Sequence, residues 1–390
     1  MLKKLSFLFL ILLSVVNSQL NAQAIDPFIQ EKVDQLSYDT LYSRLQTFEN
    51  LGIKQVGTQS LENTANWIID LYEQFGYTDI ETDTFSVGAN DVYNIIVSRT
   101  GTLYPDTWII IDAHYDTYFG PGVNDNGSGT AIVLEMARML KEMESAYSIK
   151  FIHFTAEELG LLGSYHYVEN TVLPQNMDIR LVFNIDEVGG VAGEVNNTIT
   201  CERDEWAPPG NNSASAAFTD TLANVTEPYS DLLTNISYAY GSDYVPFMNE
   251  GYVVTGFYEY NESPYPHSIN DSLSNMDPVY VFEITKASLA AAIYFTGAQE
   301  IISNDPDLLN EINKVIIYPN PFCDFLNIEN KTGKPIQLSI YNSYSQLVNT
   351  LFIKENSINK LTISQTPGVY YYQVVDHFGM ITKSGKLLKQ

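Results

Sequence analysis

Two neighbouring glutamates, Glu157 and Glu158, follow an apolar run and precede a glycine-containing turn in the stretch FTAEELGLLGS. Adjacent carboxylates repel each other, and Lys150 is the only lysine or arginine in residues 149–162. A lone glutamate pair is more often a solvated surface feature, but a bound metal ion would supply the missing positive charge. Glu158 could then bind the metal, while Glu157 accepts a proton from a water molecule that the metal activates.

Two segments earlier in the chain contain histidine, aspartate or both. In AHYDT, His114 and Asp116 are two positions apart, so on an extended segment their side chains leave the same face of the backbone. One of them could bind a metal while the other orients it by hydrogen bonding. Asp125 follows in VNDNGSG, a loop rich in glycine and asparagine that leads into a helix at Ser128.

The remaining ligands of a metal centre come from later in the chain. Asp186 ends the apolar run of FNIDEVGG, and His267 in PHSIND adds a second imidazole. With Asp125 as a bridge, this set suits a two-metal centre, and nitrogen and oxygen ligands without cysteine suit zinc, with cobalt or manganese as possible substitutes. Asp271 could support His267 or cap a helix. The candidate catalytic residues are Glu157 and Asp116, and the candidate metal ligands are His114, Asp125, Glu158, Asp186 and His267.

The elements around these residues predict how they are positioned. Residues 25–90 read as helices followed by an extended piece, residues 128–143 as a helix and residues 275–303 as a closing helix. Continuous apolar runs separated by helices predict an α/β fold with a mostly parallel mixed sheet sandwiched by helices. Ligands bind beyond the carboxyl ends of such strands, where the candidate residues lie. The runs span residues 92–98, 107–113, 149–156, 179–186 and 252–259.

Amino-acid composition and the pattern of apolar residues divide the chain into four parts. Residues 1–24 read as a signal peptide, because two lysines precede a leucine-rich run too short for a comfortable membrane span and small residues follow it. Residues 25–303 form the predicted catalytic domain and residues 304–315 a polar linker. Residues 316–390, with short alternating strands, predict a small C-terminal all-β sandwich domain. No later stretch suggests a transmembrane segment.

Charge and cysteine content exclude several kinds of protein. Residues 25–315 carry 11 basic and 43 acidic residues, a balance that repels nucleic acid and anionic membranes and suits cationic ligands. Only two cysteines occur in the 390 residues, so disulfides do not hold this exported chain together. In residues 200–215, the polar side chains are expected to face water rather than to shape a substrate pocket.

Taken in order, the motifs AHYD, GVNDNGSG, AEELGLLGS, NIDEVG and PHSxxD resemble those of the co-catalytic zinc aminopeptidases of clan MH, over roughly residues 40–300. The resemblance implies two Zn²⁺ ions and a glutamate base, Glu157, with Asp116 behind His114. One departure is Tyr244, which stands where that family often has a histidine near the substrate. The implied ligand sets are His114, Asp125 and Asp186 for one ion and Asp125, Glu158 and His267 for the other.

The tail resembles the C-terminal sorting domain read by the type IX secretion system. The resemblance lies in the YPNP start, the GVY segment and the lysine-containing end. It implies interaction with the type IX secretion machinery and export through the periplasm and the outer membrane. The protein is therefore expected to be secreted or attached to the cell surface.

Together these features predict a secreted metallo-exopeptidase that hydrolyses the N-terminal peptide bonds of peptides or proteins. A metallo-carboxypeptidase or dipeptidase could use the same metals, but it would need a basic residue to hold a substrate carboxylate. A glutaminyl cyclase-like enzyme shares the fold, although such enzymes typically lack the full two-metal set that His114 completes. A non-catalytic surface binding module fits poorly with an intact Glu157 and a complete ligand set.

Overall fold

The computed structural model describes residues 25–239, 241–300, 314–342, 347–364, 366–375 and 381–389. The described residues form two compact units, the first ending at Glu300 and the second lying beyond it. The predicted signal peptide, residues 1–24, and most of the predicted linker, residues 304–315, lie outside the described residues. The predicted domain boundaries therefore stay a prediction.

The first three helices begin where side chains cap the free backbone N–H groups. Asp26, Ser37 and Thr58 each accept such a hydrogen bond ahead of the first three helices. The helices are α1 (Pro27–Asp34), α2 (Tyr38–Asn50), α3 (Gln59–Gln74), α4 (Gly127–Lys141), α5 (Leu162–Tyr167), α6 (Leu173–Gln175), α7 (Asn212–Tyr229), α8 (Val245–Asn249) and α9 (Pro278–Thr296). A π-helical turn, Val168–Val172, joins α5 to α6.

Eight strands of the first unit form one sheet with the order β1-β2-β5-β3-β6-β9-β7-β8. The four central strands, β5, β3, β6 and β9, are parallel, whereas β2 pairs with β5 and β7 pairs with β9 in antiparallel fashion. The strands are β1 (Ile80–Val87), β2 (Asn90–Arg99), β3 (Tyr104–His114), β4 (Met143–Glu144), β5 (Tyr147–Phe154), β6 (Asp178–Ile185), β7 (Thr198–Arg203), β8 (Leu233–Tyr238), β9 (Val254–Glu259) and β10 (Gln299–Glu300). The short strands β4 and β10 pair separately.

Both faces of the central strands are buried, which explains why these strands are continuously apolar. Ile109 and Ile111 of β3 pack into the larger core beneath α4 and α9, whereas Ile110 between them packs into the core on the opposite face. Strands covered by helices on both sides need no polar face. The predicted fold class, a mostly parallel mixed sheet sandwiched by helices, is confirmed.

The segment 200–215 differs from the sequence prediction. Its first part is strand β7 and its last part begins α7, and the carboxylates of Glu202 and Asp204 are buried, although Glu205 and Trp206 are exposed. The Tyr244 hydroxyl donates a 2.9 Å hydrogen bond to Glu202 Oε2. A buried acid with a partner does not need water, so the expectation that these side chains face solvent is wrong for Glu202 and Asp204.

Helix α9 is the most apolar helix in the first unit. This 19-residue helix contains an 18-residue stretch with a mean hydropathy of 1.2, enough by length and composition to cross a membrane, but 72% of that stretch is buried inside the protein. By length and composition alone this helix is a candidate membrane span, which is weak evidence because a buried core helix can have the same length and composition. The burial is that of a helix in the centre of a folded core, in contact with α4 and α7.

The second unit is built from antiparallel strands alone in the part that the structure describes. Two sheets, β11-β12-β15 and β14-β13-β16-β17, enclose a core that includes Leu326, Ile340 and Val374. The strands are β11 (Val315–Tyr318), β12 (Phe325–Asn330), β13 (Ile336–Asn342), β14 (Leu347–Ile353), β15 (Ser357–Thr362), β16 (Gly368–Val375) and β17 (Ile381–Lys389). This confirms the predicted small all-β domain.

Candidate metal centre

All seven candidate residues lie at the carboxyl edge of the central strands. His114 is the last residue of β3, Glu157 and Glu158 follow β5 in a 3₁₀ turn, and Asp186 directly follows β6. Because β5, β3 and β6 are parallel neighbours, their ends meet at one edge of the sheet. The loops that follow β3 and β9 bring Asp125 and His267 to the same edge.

The first group of donor atoms surrounds His114, whose side chain is buried. Its Nε2 lies 3.3 Å from Asp125 Oδ1, 3.3 Å from Asp186 Oδ1 and 3.9 Å from Glu157 Oε2. One donor atom each from His114, Glu157 and Asp186 lies within 4.8 Å of the others, a spacing that a metal ion could fill. The Ser242 hydroxyl donates a 2.7 Å hydrogen bond to the other carboxylate oxygen of Asp186.

The second group surrounds His267, whose side chain is 56% exposed. Its Nε2 lies 2.8 Å from Glu158 Oε2 and 3.3 Å from Asp125 Oδ2. Asp125, Glu158 and His267 also meet the 4.8 Å spacing. Asp125 therefore directs one oxygen towards each histidine, which is the arrangement a bridging carboxylate requires.

Asp116 supports both the imidazole and the glutamate turn. Its Oδ1 lies 3.6 Å from His114 Nδ1, and its backbone carbonyl oxygen lies 3.2 Å from the same nitrogen. Its carboxylate also accepts hydrogen bonds from the backbone N–H groups of Glu157, at 3.1 Å, and Glu158, at 3.3 Å. These two hydrogen bonds were not predicted. Nothing in the sequence shows that the backbone N–H groups 41 and 42 positions away point towards the Asp116 carboxylate.

Asp271 supports the loop that carries Asp125, and neither sequence interpretation of it is correct. Its carboxylate accepts hydrogen bonds from the backbone N–H groups of Asn124, at 2.8 Å, and Asp125, at 3.0 Å. Within the described residues it forms no ion pair with His267, and the nearby 3₁₀ turn is preceded by Ser272 instead. Glu259 completes the support by accepting a 3.1 Å hydrogen bond from Asn124 Nδ2.

The electrostatics of the site favour a bound cation. Burial raises the pKa of Glu158 to about 9, and the Asp125 carboxylate adds to the rise. Burial likewise raises the pKa of Glu187, beside Asp186, to about 10. Burial alone would lower the pKa of His114, but the carboxylates of Asp186 and Glu157 outweigh it and raise that pKa well above its usual value. Metal ions would neutralise this concentration of negative charge.

Orphaned oxygens show that the residues fit a metal. Glu158 Oε1 and Asp186 Oδ1 are buried, and neither has a hydrogen-bond partner within the part of the chain that the structure describes. A buried carboxylate oxygen without a partner is costly unless a cation binds it. The donors are imidazole nitrogens and carboxylate oxygens, a set that suits zinc.

Tyr244 does not line the site in the way that the family resemblance suggested. Its side chain is only 1% exposed and packs in the core beside Phe247. Its hydroxyl donates a hydrogen bond to the buried Glu202. A tyrosine at this position is therefore accommodated by a carboxylate on β7.

Two family models match the chain. The model described as Peptidase family M28 matches residues 94–292, about half of the chain. The model described as secretion system C-terminal sorting domain matches residues 316–389. Both matches confirm the resemblances stated from the sequence motifs.

Individual relatives match smaller parts of the chain. Aminopeptidase YwaD of Bacillus subtilis is 52% identical over 87 residues, which are 22% of this chain and 19% of that protein. The chain thus spans about a fifth of the length of this curated relative. Among solved structures, LapA of Legionella pneumophila has a TM-score of 0.61 at 22% identity, covering 70% of this chain and 77% of its own. The glutaminyl cyclase of Macrostomum lignano has a TM-score of 0.61 at 15% identity, covering 72% and 96%. These structural likenesses concern the fold alone.

Proposed function

Because the chain belongs to peptidase family M28, we propose that it is a secreted zinc-dependent aminopeptidase with a dinuclear centre and a glutamate general base. The observation that carries the proposal is the position of Asp125. Its two oxygens lie 3.3 Å from the Nε2 atoms of His114 and His267, so one carboxylate joins two groups of donors. A single-metal site would not need such a bridge.

The proposed ligand sets follow from this bridge. His114, Asp125 and Asp186 would hold one zinc ion, and Asp125, Glu158 and His267 the other. Glu157 is spatially close enough to join the first set, but its Oε2 is farther from His114 Nε2 than the Asp125 and Asp186 oxygens are. When bound, the two ions supply Lewis acidity that polarises the substrate carbonyl and makes a water molecule acidic enough to be deprotonated near neutral pH.

Glu157 is the proposed general base. Its backbone N–H is held by Asp116, and its side chain is 12% exposed, so its carboxylate can meet a substrate. It would take one proton from the attacking water and deliver it to the amine nitrogen that leaves when the peptide C–N bond breaks. Glu158, pointing at His267, would stay a ligand throughout.

Charge supports recognition of the substrate's free amino group. Within the described residues, neither a lysine nor an arginine forms an ion pair with any of the seven candidate side chains. A carboxypeptidase or dipeptidase would need such a base to hold the substrate carboxylate. The acidic body of the chain instead suits the cationic amino terminus of a peptide or protein.

The match to a sorting domain supports the proposed destination. Residues 316–390 would be the segment that the type IX secretion machinery recognises after the chain has reached the periplasm. The enzyme would then act outside the cell or on its surface. Deleting residues 316–390 should leave the peptidase in the periplasm, which cell fractionation with an activity assay would show.

The test of the proposed function combines metal content with substrate choice. The purified protein should contain about two zinc ions per chain and cleave aminoacyl anilides but not their N-acetylated forms, with activity lost on chelation and restored by zinc. Cleavage of the blocked substrates would indicate a carboxypeptidase or an endopeptidase. Cyclisation of N-terminal glutamine would indicate a glutaminyl cyclase, and a protein without bound metal would contradict the proposed centre.

A further inference from the structure

Glu157 and Glu158 lie on a nine-residue loop, residues 155–163, called here the glutamate loop. It leaves β5 and returns into α5. Ala156 and Leu161 have φ angles of 55° and 61°, a left-handed conformation that side chains other than glycine adopt reluctantly. Such a loop keeps its shape only when neighbouring groups hold it in place.

One buried side chain, Asn94 on β2, joins both ends of the glutamate loop. Its Oδ1 accepts a 3.1 Å hydrogen bond from the backbone N–H of Thr155, and its Nδ2 donates a 2.9 Å hydrogen bond to the carbonyl oxygen of Gly163. Asn94 is fully buried. The two ends of the loop are therefore linked through a single amide group.

The second proton of the Asn94 amide is also used, and this sets the orientation of the amide. Nδ2 donates a 2.9 Å hydrogen bond to Asp83 Oδ2, while the other oxygen of Asp83 lies 3.2 Å from Nε2 of His166 on α5. Because a carboxylate can only accept, the NH₂ group must face Asp83 and the amide oxygen must face Thr155. An asparagine supplies donor and acceptor at once, which aspartate and leucine of similar size do not.

Gly163 shows how closely the amide and the loop approach each other. A Cβ atom on Gly163 would lie 2.3 Å from the Thr155 carbonyl oxygen and 2.4 Å from Asn94 Oδ1. No side chain fits there without moving one end of the loop. The loop is thus closed tightly at its base, and its tip carries the two glutamates.

We propose that Asn94 is a positioning residue for the reaction: by closing the glutamate loop, it holds Glu157 at the distance where it can exchange a proton and holds Glu158 against His267. This inference rests on the proposed function. Asn94 is not itself among the candidate ligands, and it acts through the backbone of Thr155 and Gly163. Its loss should therefore affect catalysis and metal affinity more than substrate binding.

The test uses two variants of the full chain, Asn94→Asp and Asn94→Ala. Asn94→Asp keeps the size of the side chain but loses both donated hydrogen bonds, whereas Asn94→Ala loses all three. Each variant should lower kcat about 10- to 100-fold, because a displacement of about 1 Å at a catalytic group has an effect of that order. KM should change less than about twofold, since the substrate-binding groups stay in place. Zinc affinity, measured by competition with a chelator, should fall as well.

Asn330 provides the matched control. It is also fully buried, accepts a 3.0 Å hydrogen bond from the backbone N–H of Thr332 and donates to the carbonyl oxygens of Lys334 and Lys354, but it belongs to the second unit. Asn330→Ala should leave kcat and zinc affinity unchanged. If the Asn94 variants are folded and keep wild-type kcat and zinc affinity, or if neither variant folds at all, the positioning role is overturned.

The zinc measurement separates this inference from the proposed function. Were the wild-type chain inactive on every free-amine substrate, the aminopeptidase proposal would fail. The competition assay would still show whether Asn94 controls the position of Glu158, because it needs no turnover. A loss of zinc affinity in Asn94→Asp but not in Asn330→Ala is the expected outcome.

Discussion

The carboxylate of Asp271 accepts a 3.0 Å hydrogen bond from the backbone N–H of Asp125, the residue that faces both histidines. It also accepts a hydrogen bond from the N–H of Asn124, so Asp271→Ala frees two neighbouring backbone groups. Metal affinity should fall about 10- to 100-fold, as for other residues that orient a ligand. Zinc competition assays would measure it.

Asp277 offers a control for that prediction. Its carboxylate also accepts hydrogen bonds from two backbone N–H groups, those of Val279 and Tyr280, where it caps α9. Asp277→Ala should lower the free energy of unfolding by about 1 kcal/mol without changing zinc affinity. Equal zinc affinities in the two variants would show that Asp271 does not orient Asp125.

The two adjacent glutamates should respond differently to the same substitution. Glu157→Gln should lower kcat about 10²- to 10⁴-fold and leave zinc content at the wild-type level, because the amide cannot accept the proton. Glu158→Gln should lower zinc affinity, since a ligand 2.8 Å from His267 Nε2 loses its charge. Rate and metal content measured on the same preparations would check both, and full activity in Glu157→Gln would contradict the mechanism.

Lys54 is a fully buried lysine that anchors the loop before Asp125. Its Nζ donates hydrogen bonds to the carbonyl oxygens of Gly52, at 2.6 Å, and Pro121, at 2.7 Å, and lies 3.8 Å from the centre of the Phe48 ring. Lys54→Met should lower the free energy of unfolding by about 3 kcal/mol, because two partly buried carbonyl oxygens lose their donor.

Lys150 provides the comparison for Lys54. It is partly rather than fully buried, and its Nζ lies 4.4 Å from the centre of the Trp108 ring, but among the described residues its Nζ donates to a single group, the hydroxyl of Ser98. Lys150→Met should cost about 1 kcal/mol. Denaturant unfolding followed by circular dichroism would compare the two. A smaller loss for Lys54→Met than for Lys150→Met would show that the loop does not depend on this lysine.

Glu202 should make stability depend on pH. Burial raises the pKa of Glu202 from 4.5 to about 8. Between these values the folded chain keeps a proton on Glu202 that the unfolded chain releases, so the contribution of Glu202 to stability is fully present below pH 4.5 and is lost as the pH rises towards 8. The loss is at most about 1.4 kcal/mol per pH unit. Glu202→Gln should remove it.

Tryptophan fluorescence can follow that effect, since all three tryptophans lie in the first unit. The free energy of unfolding of the wild-type chain minus that of Glu202→Gln should decrease steadily from pH 5 to pH 8. Two parallel curves would mean that Glu202 is ionised in the folded chain throughout this range. The Tyr244 hydroxyl can donate to the amide oxygen of the variant, so the fold should be retained.

The strands that carry the site were predictable because each is buried on both faces. Ile109, Ile110 and Ile111 show the pattern: three β-branched residues in a row need a core on each side of the sheet. Strand β7 was not predictable in this way. It contains Glu202, and a carboxylate in a sequence predicts a surface residue. The buried partner of Glu202, the Tyr244 hydroxyl, lies 42 positions away and is not evident from the sequence.

The candidate residues of the site could be predicted as a set, but not their mutual arrangement. The motifs place His114 at the end of β3 and Asp125 and His267 in the loops that follow β3 and β9, and the sheet brings these strand ends to one edge. Asp125 directs one oxygen towards each histidine, and its backbone N–H is held by the carboxylate of Asp271. No local sequence pattern reveals this hydrogen bond. The position of Asn94 next to the glutamate loop could not be predicted, because a single asparagine in an apolar strand forms no pattern that indicates its partners.

Helix α9 presents a problem at the moment of export that it does not present after folding. A chain that crosses the inner membrane unfolded exposes this 19-residue apolar stretch before any core exists to bury it. The translocation channel can release such a stretch sideways into the lipid. Lys286, near the middle of the helix, opposes this, since a lysine there makes membrane insertion less favourable by about 2.5–3.5 kcal/mol. On the proposed route, Lys286 and Glu283, three positions before it, keep the future centre of the core moving through the channel.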